Sequence, residues 1–163
     1  MTRFILPLAA LRVFLAILFA FALVMQILSL PGQFVPAPSD PYAHLGWAML
    51  IAAELLVLGL QVVIVCTWRL LAMVQKDRIF SPQSLRWVDA IVWTFVVGWV
   101  VLVAVAAYLS LTIFVTPELR DPGLPILLFG VALIATVLVL LMVILRALLR
   151  QATVLRADMD VVI

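Results

Sequence analysis

Three polar side chains fall inside runs of sequence where polarity is costly: Glu54, Gln61 and Arg12. Glu54 follows Leu45 by nine positions in an otherwise apolar stretch. A helix rises about 1.5 Å per residue, so a membrane entered at Leu45 would hold this carboxyl ~14 Å deep. An ionised group near the midplane is expensive and is read as functional by default, as a proton- or cation-linked carboxyl. The competing role is structural, a protonated or hydrogen-bonded carboxyl that ties helices together. Gln61 lies one heptad beyond Glu54 on the same helical face. Arg12, counted inward from the other end of its own segment, reaches about the depth of Gln61. Its guanidinium could meet Gln61 or reach toward Glu54; the alternative is an anchor that snorkels to the interface.

Other chemistry is scarce. The chain has one cysteine, Cys66, and one histidine, His44. A structural zinc site takes about four such ligands, and thiol exchange takes a cysteine pair. A haem held by two histidines is excluded within one chain. Cys66 in its apolar run reads as a small hydrophobe, and His44 as a solvated imidazole at a membrane boundary. There is no glycine-rich phosphate loop, no pair of catalytic carboxylates and no Ser/His/Asp arrangement. No metal, no cofactor and no enzymatic activity are expected; an enzyme of lipid metabolism would need a nucleophile–base or metal constellation that is missing.

Composition says what must position these groups. Of 163 residues, 68% are hydrophobic and 11% charged, against about 45–50% and about 25% in soluble domains. A chain this short has too much surface to hide that excess in one core. The excess must face lipid. Four stretches reach the ~20 apolar residues that a bilayer-crossing helix needs: about 8–30, 45–68, 88–115 and 124–145. They are helices, because each must satisfy its own backbone in lipid, and the alternation of a barrel strand is absent. The first could imitate a cleaved leader, with Arg3 ahead of it and Ala20-Phe21-Ala22 as a mock cleavage site. Its apolar run exceeds the ~7–15 residues of a leader core, so it is expected to stay as a span.

The connections differ in kind. Proline lacks the backbone donor and clashes with the preceding turn, so Pro31 through Pro41 reads as a stiff extended link. Thr116 to Gly123 is a second proline-punctuated turn. Between them lies Gln75-Lys76-Asp77-Arg78-Ile79-Phe80-Ser81-Pro82, where Ser81 suits an N-cap and Pro82 a first helical position. The second helix continues through Val74, so helical extensions over about 69–87 and 146–163 should protrude on one side. The whole chain is expected to form one transmembrane domain, an all-α antiparallel bundle of four spans.

Nine of the ten basic residues fall on one face of that bundle, and Arg120 alone falls on the other. This places both termini in the cytoplasm. The opposite face carries Asp40, Glu118 and Asp121 with seven of the nine prolines. Basic residues that flank spans explain the formal charge of +2 better than nucleic-acid binding, and none is expected. Gln26, Thr94, Tyr108, Ser110, Thr112 and Thr136 could hydrogen-bond across helices. Ala16 with Ala20, Ala48 with Ala52, and Gly98, Gly130 and Ala135 offer close approach within the bundle or along a homo-oligomer seam. In the tail, Arg146, Arg150 and Arg156 alternate with leucines as an amphipathic helix would, followed by Asp158 and Asp160. That tail reads as a solvated helix end, or as a surface for a cytoplasmic partner or anionic lipid heads.

Two segments carry a resemblance. Lys76 to Leu85, with its Phe80-Ser81-Pro82 element after a basic turn, resembles the central signature of a bacterial membrane-protein family known as domain of unknown function 2975. The tail from Ala152 to Val162 is similar to that family's acidic, then aliphatic, end, although Val161-Val162 stands where a Thr-Val pair is common. The family has no established activity or catalytic residues to carry over. Its members often have genes beside small helix-turn-helix regulators, which implies a regulatory partner. The leading expectation is a non-enzymatic sensor, regulatory or scaffold protein acting through its cytoplasmic face. The alternative is a small oligomeric transporter or channel that uses Glu54.

Overall fold

The computed structural model describes residues 5–74, 82–119 and 122–161, with side-chain surroundings given for 8–74, 83–119 and 122–155. In chain order, α1 spans Ile5–Val24, a π-helical turn Met25–Ser29, α2 Leu30–Phe34, α3 Ala43–Val74 and α4 Pro82–Val115. A 3-10 turn, Pro117–Leu119, leads into α5, Gly123–Val161. Four stretches, Leu8–Phe34, Ala43–Val74, Gln83–Val115 and Gly123–Leu155, are long and apolar enough to cross a membrane. The protein is a multi-pass, all-α membrane protein.

The first span corrects one expectation. The helix does not break at Pro31 but continues to Phe34 through the π turn. Proline in a helix lacks a donor and presses on the carbonyl four residues back. The wider π turn, closed by Leu30 N–H donating to Met25 O, sets that strain just ahead of the ring. Pro31 then stands in the first turn of α2, where a missing N–H costs nothing. The extended link begins at Val35 and is gathered by Asp40, whose carboxylate accepts from Tyr42 N–H at 2.8 Å.

Neighbouring helices run antiparallel, as their contacts show. On the α3–α4 face, Gly59 approaches Thr94 and Arg69 lies over Trp87, so the index rises on one helix as it falls on the other. On the α4–α5 face the same holds for Trp99 with Thr136 and Asp89 with Arg146. The close packing is serial: α1 and α2 on α3, α3 on α4, α4 on α5. The core is accordingly thin, with Ile64, Cys66, Val92 and Leu109 among its few buried apolar residues. Among the described residues of α5, none is buried. Long apolar faces left open are what lipid requires, since helices in a bilayer associate by close packing and hydrogen bonds rather than by escape from water.

Length sets the other constraint. At about 1.5 Å per residue, the 32 residues of α3, 34 of α4 and 39 of α5 extend ~48, ~51 and ~58 Å, against ~30 Å of hydrocarbon. The surplus of α5 falls at its arginine-bearing end.

Candidate functional site

The three residues singled out by sequence, with Gln26, lie on the facing stripes of the first span and α3. On α1, Leu8, Arg12, Leu15, Phe19 and Ala22 recur at helical spacing and are less exposed than their neighbours, and Gln26 in the π turn continues the stripe. On α3, Leu50, Glu54, Val57, Gln61 and Ile64 form the facing stripe. The two stripes meet where Gln61 Nε2 donates to Gln26 Oε1 at 2.5 Å. Gln61 is only 9% exposed, and a buried amide left without a partner is costly. Further along the seam, Gly46 lets α3 close on the end of α2: a Cβ there would lie 2.7 Å from the Phe34 carbonyl oxygen.

This register separates the three residues singled out by sequence. Glu54 stays on the Gln61 face, half-buried, about two helical turns away. Among the described residues it forms no hydrogen bond or ion pair. Arg12 belongs to the inward stripe of α1, but not at the depth of Gln61. The contacts of Gln26 with Gln61 and of Phe34 with Gly46 set Arg12 alongside the last two turns of α3. That is ~10 Å or more from Gln61 along the axis, so Arg12 meets neither Gln61 nor Glu54. The depth estimate failed because the first span runs four residues beyond Leu30, which shifts every partner along it.

Most membrane hydroxyls serve their own helices. Thr94 and Thr112 donate to the carbonyls of Ala90 and Tyr108, one turn back, not to another helix. Thr136 does both: it donates to Ala132 O and accepts from Trp99 Nε1 at 2.8 Å, tying α5 to α4.

At the arginine-bearing end the helices are braced twice. The Arg69 guanidinium of α3 sits 5.8 Å from the Trp87 ring centroid of α4, within cation–π reach. Arg146 Nε of α5 donates to Asp89 Oδ1 of α4 at 2.5 Å. Both side chains of that pair are more than a third exposed (38% and 40%), so solvent and salt screen it. Pro82 opens α4, while Phe80 and Ser81 lie outside the described residues. Arg150 is exposed on α5; the side chains of Arg156, Asp158 and Asp160 also lie outside the described set.

At the acidic end, Tyr42 Oη donates to Glu118 Oε2 at 2.5 Å and joins the first link to the 3-10 turn. The Glu118 hydrogen bond, with smaller help from desolvation and the charges of Glu118 and Asp40, holds the Tyr42 phenol above its usual range. His44 lies 6.5 Å away, ring to ring.

Between α3, α4 and α5 runs an apolar crevice of about 570 Å³, bordered by Leu55, Gly59, Trp93, Gly98, Ala135 and Val139 among others. Glu54 does not line it. A family model described as "Protein of unknown function (DUF2975)" matches residues 35–163. The chain belongs to the DUF2975 family. The matched part of this DUF2975 protein begins just after α2, so it holds Glu54, Gln61 and both braces, while Arg12 and Gln26 precede it. No curated protein and no solved structure matches the chain.

Asp89 and Tyr42 with Glu118 are contacts that reading by type alone passed over. A signal for Asp89 was present: it stands 26 residues before the end of α4, and Arg146 stands 23 residues after the start of α5. Two antiparallel helices with a short turn bring such positions together.

Proposed function

We propose that this DUF2975 protein is a non-enzymatic sensor, regulatory or scaffold protein of the bacterial plasma membrane, acting through a cytoplasmic face. That face is the arginine-bearing end, with both termini inside the cell. The reading is carried by one observation: α3, α4 and α5 all outrun the bilayer and are cross-tied in series at this end by Arg69–Trp87 and Asp89–Arg146. Two links of this kind make the projecting ends one connected body, so a tilt of any span inside the membrane reaches a cytoplasmic partner.

The partner in this reading is a cytoplasmic regulatory protein, and the chain acts alone or as a homo-oligomer. The rival, a small oligomeric transporter or channel coupled through Glu54, gains nothing from the crevice between α3, α4 and α5. That crevice is apolar, and Glu54 lies on a different stripe of α3. Chemical cross-linking in intact cells, followed by pull-down from gently solubilised membranes, tests the proposal. A protein partner captured by the native chain and lost with Asp89→Asn supports it. A chain that repeatedly emerges alone, or a Glu54-dependent proton or cation flux in reconstituted vesicles, contradicts it.

A further inference from the structure

The apolar crevice does not stand alone. On α5 its lining residues Ala135 and Val139 continue through Val143 and Arg146 to Arg150, at spacings of three and four that keep them on one face. Val143, Arg146 and Arg150 line a second recess of about 440 Å³, which also takes in Gln151. One helical stripe therefore passes from a hydrocarbon-lined space to a groove along α5 that sets Arg146, Arg150 and Gln151 among apolar side chains. Arg146 follows Val139 by seven residues, or ~10 Å. With the fourth span ending near Leu145, Arg146 and Arg150 stand ~1.5 and ~7.5 Å beyond the hydrocarbon edge, where bilayer phosphates lie roughly 5–8 Å out.

The chemistry of the recess favours phosphate. Arg146 commits only Nε to Asp89, which fixes the side chain and leaves its terminal nitrogens to donate elsewhere. Arg150 is exposed one turn further on, and among the described residues it forms no ion pair. Guanidinium forks match phosphate oxygens in pairs, and Gln151 adds an amide donor. The crevice volume falls within the ~300–1,000 Å³ usual for ligand sites, and its lining offers almost no polar atoms to a head group.

We propose that the α3–α4–α5 crevice and the recess beside Arg146 and Arg150 form a single site for an anionic phospholipid. One acyl chain lies along Gly59, Trp93 and Ala135, and the phosphate is held by Arg146 and Arg150. The site selects lipid by the charge of its head and retains it by the chain.

The test uses the full-length protein in mild detergent, titrated with phosphatidylglycerol, phosphatidylcholine or inorganic phosphate, with bound lipid counted by native mass spectrometry. The native chain should retain phosphatidylglycerol in preference to phosphatidylcholine. Arg150→Gln alters an exposed side chain and should cut that preference about five-fold, as expected for one arginine near an anionic lipid. Ala135→Phe fills the crevice and should weaken retention of both lipids. Equal retention of the two lipids by the native chain overturns the site, as does an unchanged preference in Arg150→Gln. Full displacement of phosphatidylglycerol by inorganic phosphate also overturns it, because the chain would then contribute nothing.

Discussion

Gly46 packs against the end of α2, and replacing it gives a prediction with a defined sign. An alanine Cβ there would stand 2.7 Å from the Phe34 carbonyl oxygen and 3.3 Å from Pro36 Cδ. Ordinary contact begins near 3.4 Å, so the backbone carbonyl must retreat by about 0.7 Å. That oxygen belongs to the last turn of α2, fixed by the Val35 N–H donating to Pro31 O. It is not the loose tip of a side chain. Overpacking of this kind costs about 1–3 kcal/mol, offset by about 1 kcal/mol from the better helix propensity of alanine. Gly46→Ala should thus destabilise by roughly 1 kcal/mol net. Gly130 is the control, a mid-helix glycine of α5 with nothing within 4 Å of its would-be Cβ. Gly130→Ala should gain up to ~1 kcal/mol. The two variants should melt ~4–8 °C apart, on opposite sides of the native chain. The assay is the loss of the monodisperse peak on fluorescence-detected size exclusion after heating in mild detergent. Two alanines that stabilise alike would refute the packing of α3 on the end of α2.

The Gln26–Gln61 pair should show a coupling of about 0.6 kcal/mol, and not above ~1.7, in a double-mutant cycle built from Gln26→Leu and Gln61→Leu; additive single effects contradict the contact. The Tyr42–Glu118 link should depend on pH. The folded-state pKa of Tyr42 lies above its ordinary value of 10.0, so the link is intact below that value. It is lost as pH rises through the elevated one. Alkaline melting of the native chain should therefore fall more steeply than that of Tyr42→Phe, and parallel curves contradict the link. The Asp89–Arg146 pair is more than a third exposed, so Asp89→Asn should cost little stability and the difference should shrink at high salt. A larger, salt-independent loss in stability measurements would show a buried pair instead.

Much of this fold was legible in the sequence because lipid imposes a simple rule. Uninterrupted apolar runs must be helices, and their number and rough ends follow from length. Val115 at the end of α4 was readable for that reason, and Pro82 at its start from proline's fit to the first helical position. What stayed hidden depends on register. Pro31 looks like a helix stop, yet the π turn at Met25–Ser29 carries the helix past it. The same turn places Gln26 opposite Gln61 and sends Arg12 toward the far end of the seam. Glu54 and Gln61 were recognisable as one face from their spacing, but no spacing reveals which residue of another helix answers them. The aromatic contacts divide similarly. Trp87 and Tyr42 are of the type that gathers at membrane boundaries, whereas their partners Arg69 and Glu118 come from separate elements. The crevice was invisible because it arises from small side chains on three helices, Gly59, Gly98 and Ala135 among them.

The central claim is that four crossings leave the arginine-bearing end, with its braces and the long tail of α5, inside the cell. Paired topology reporters test it most directly, one fused after Ile163 and one inserted at Ser39 in the link between α2 and α3. A phosphatase that matures only outside the cytoplasm should be active at Ser39 and silent after Ile163, and a fluorescent protein that matures only inside should report the reverse. Phosphatase activity from the fusion after Ile163 would contradict the account.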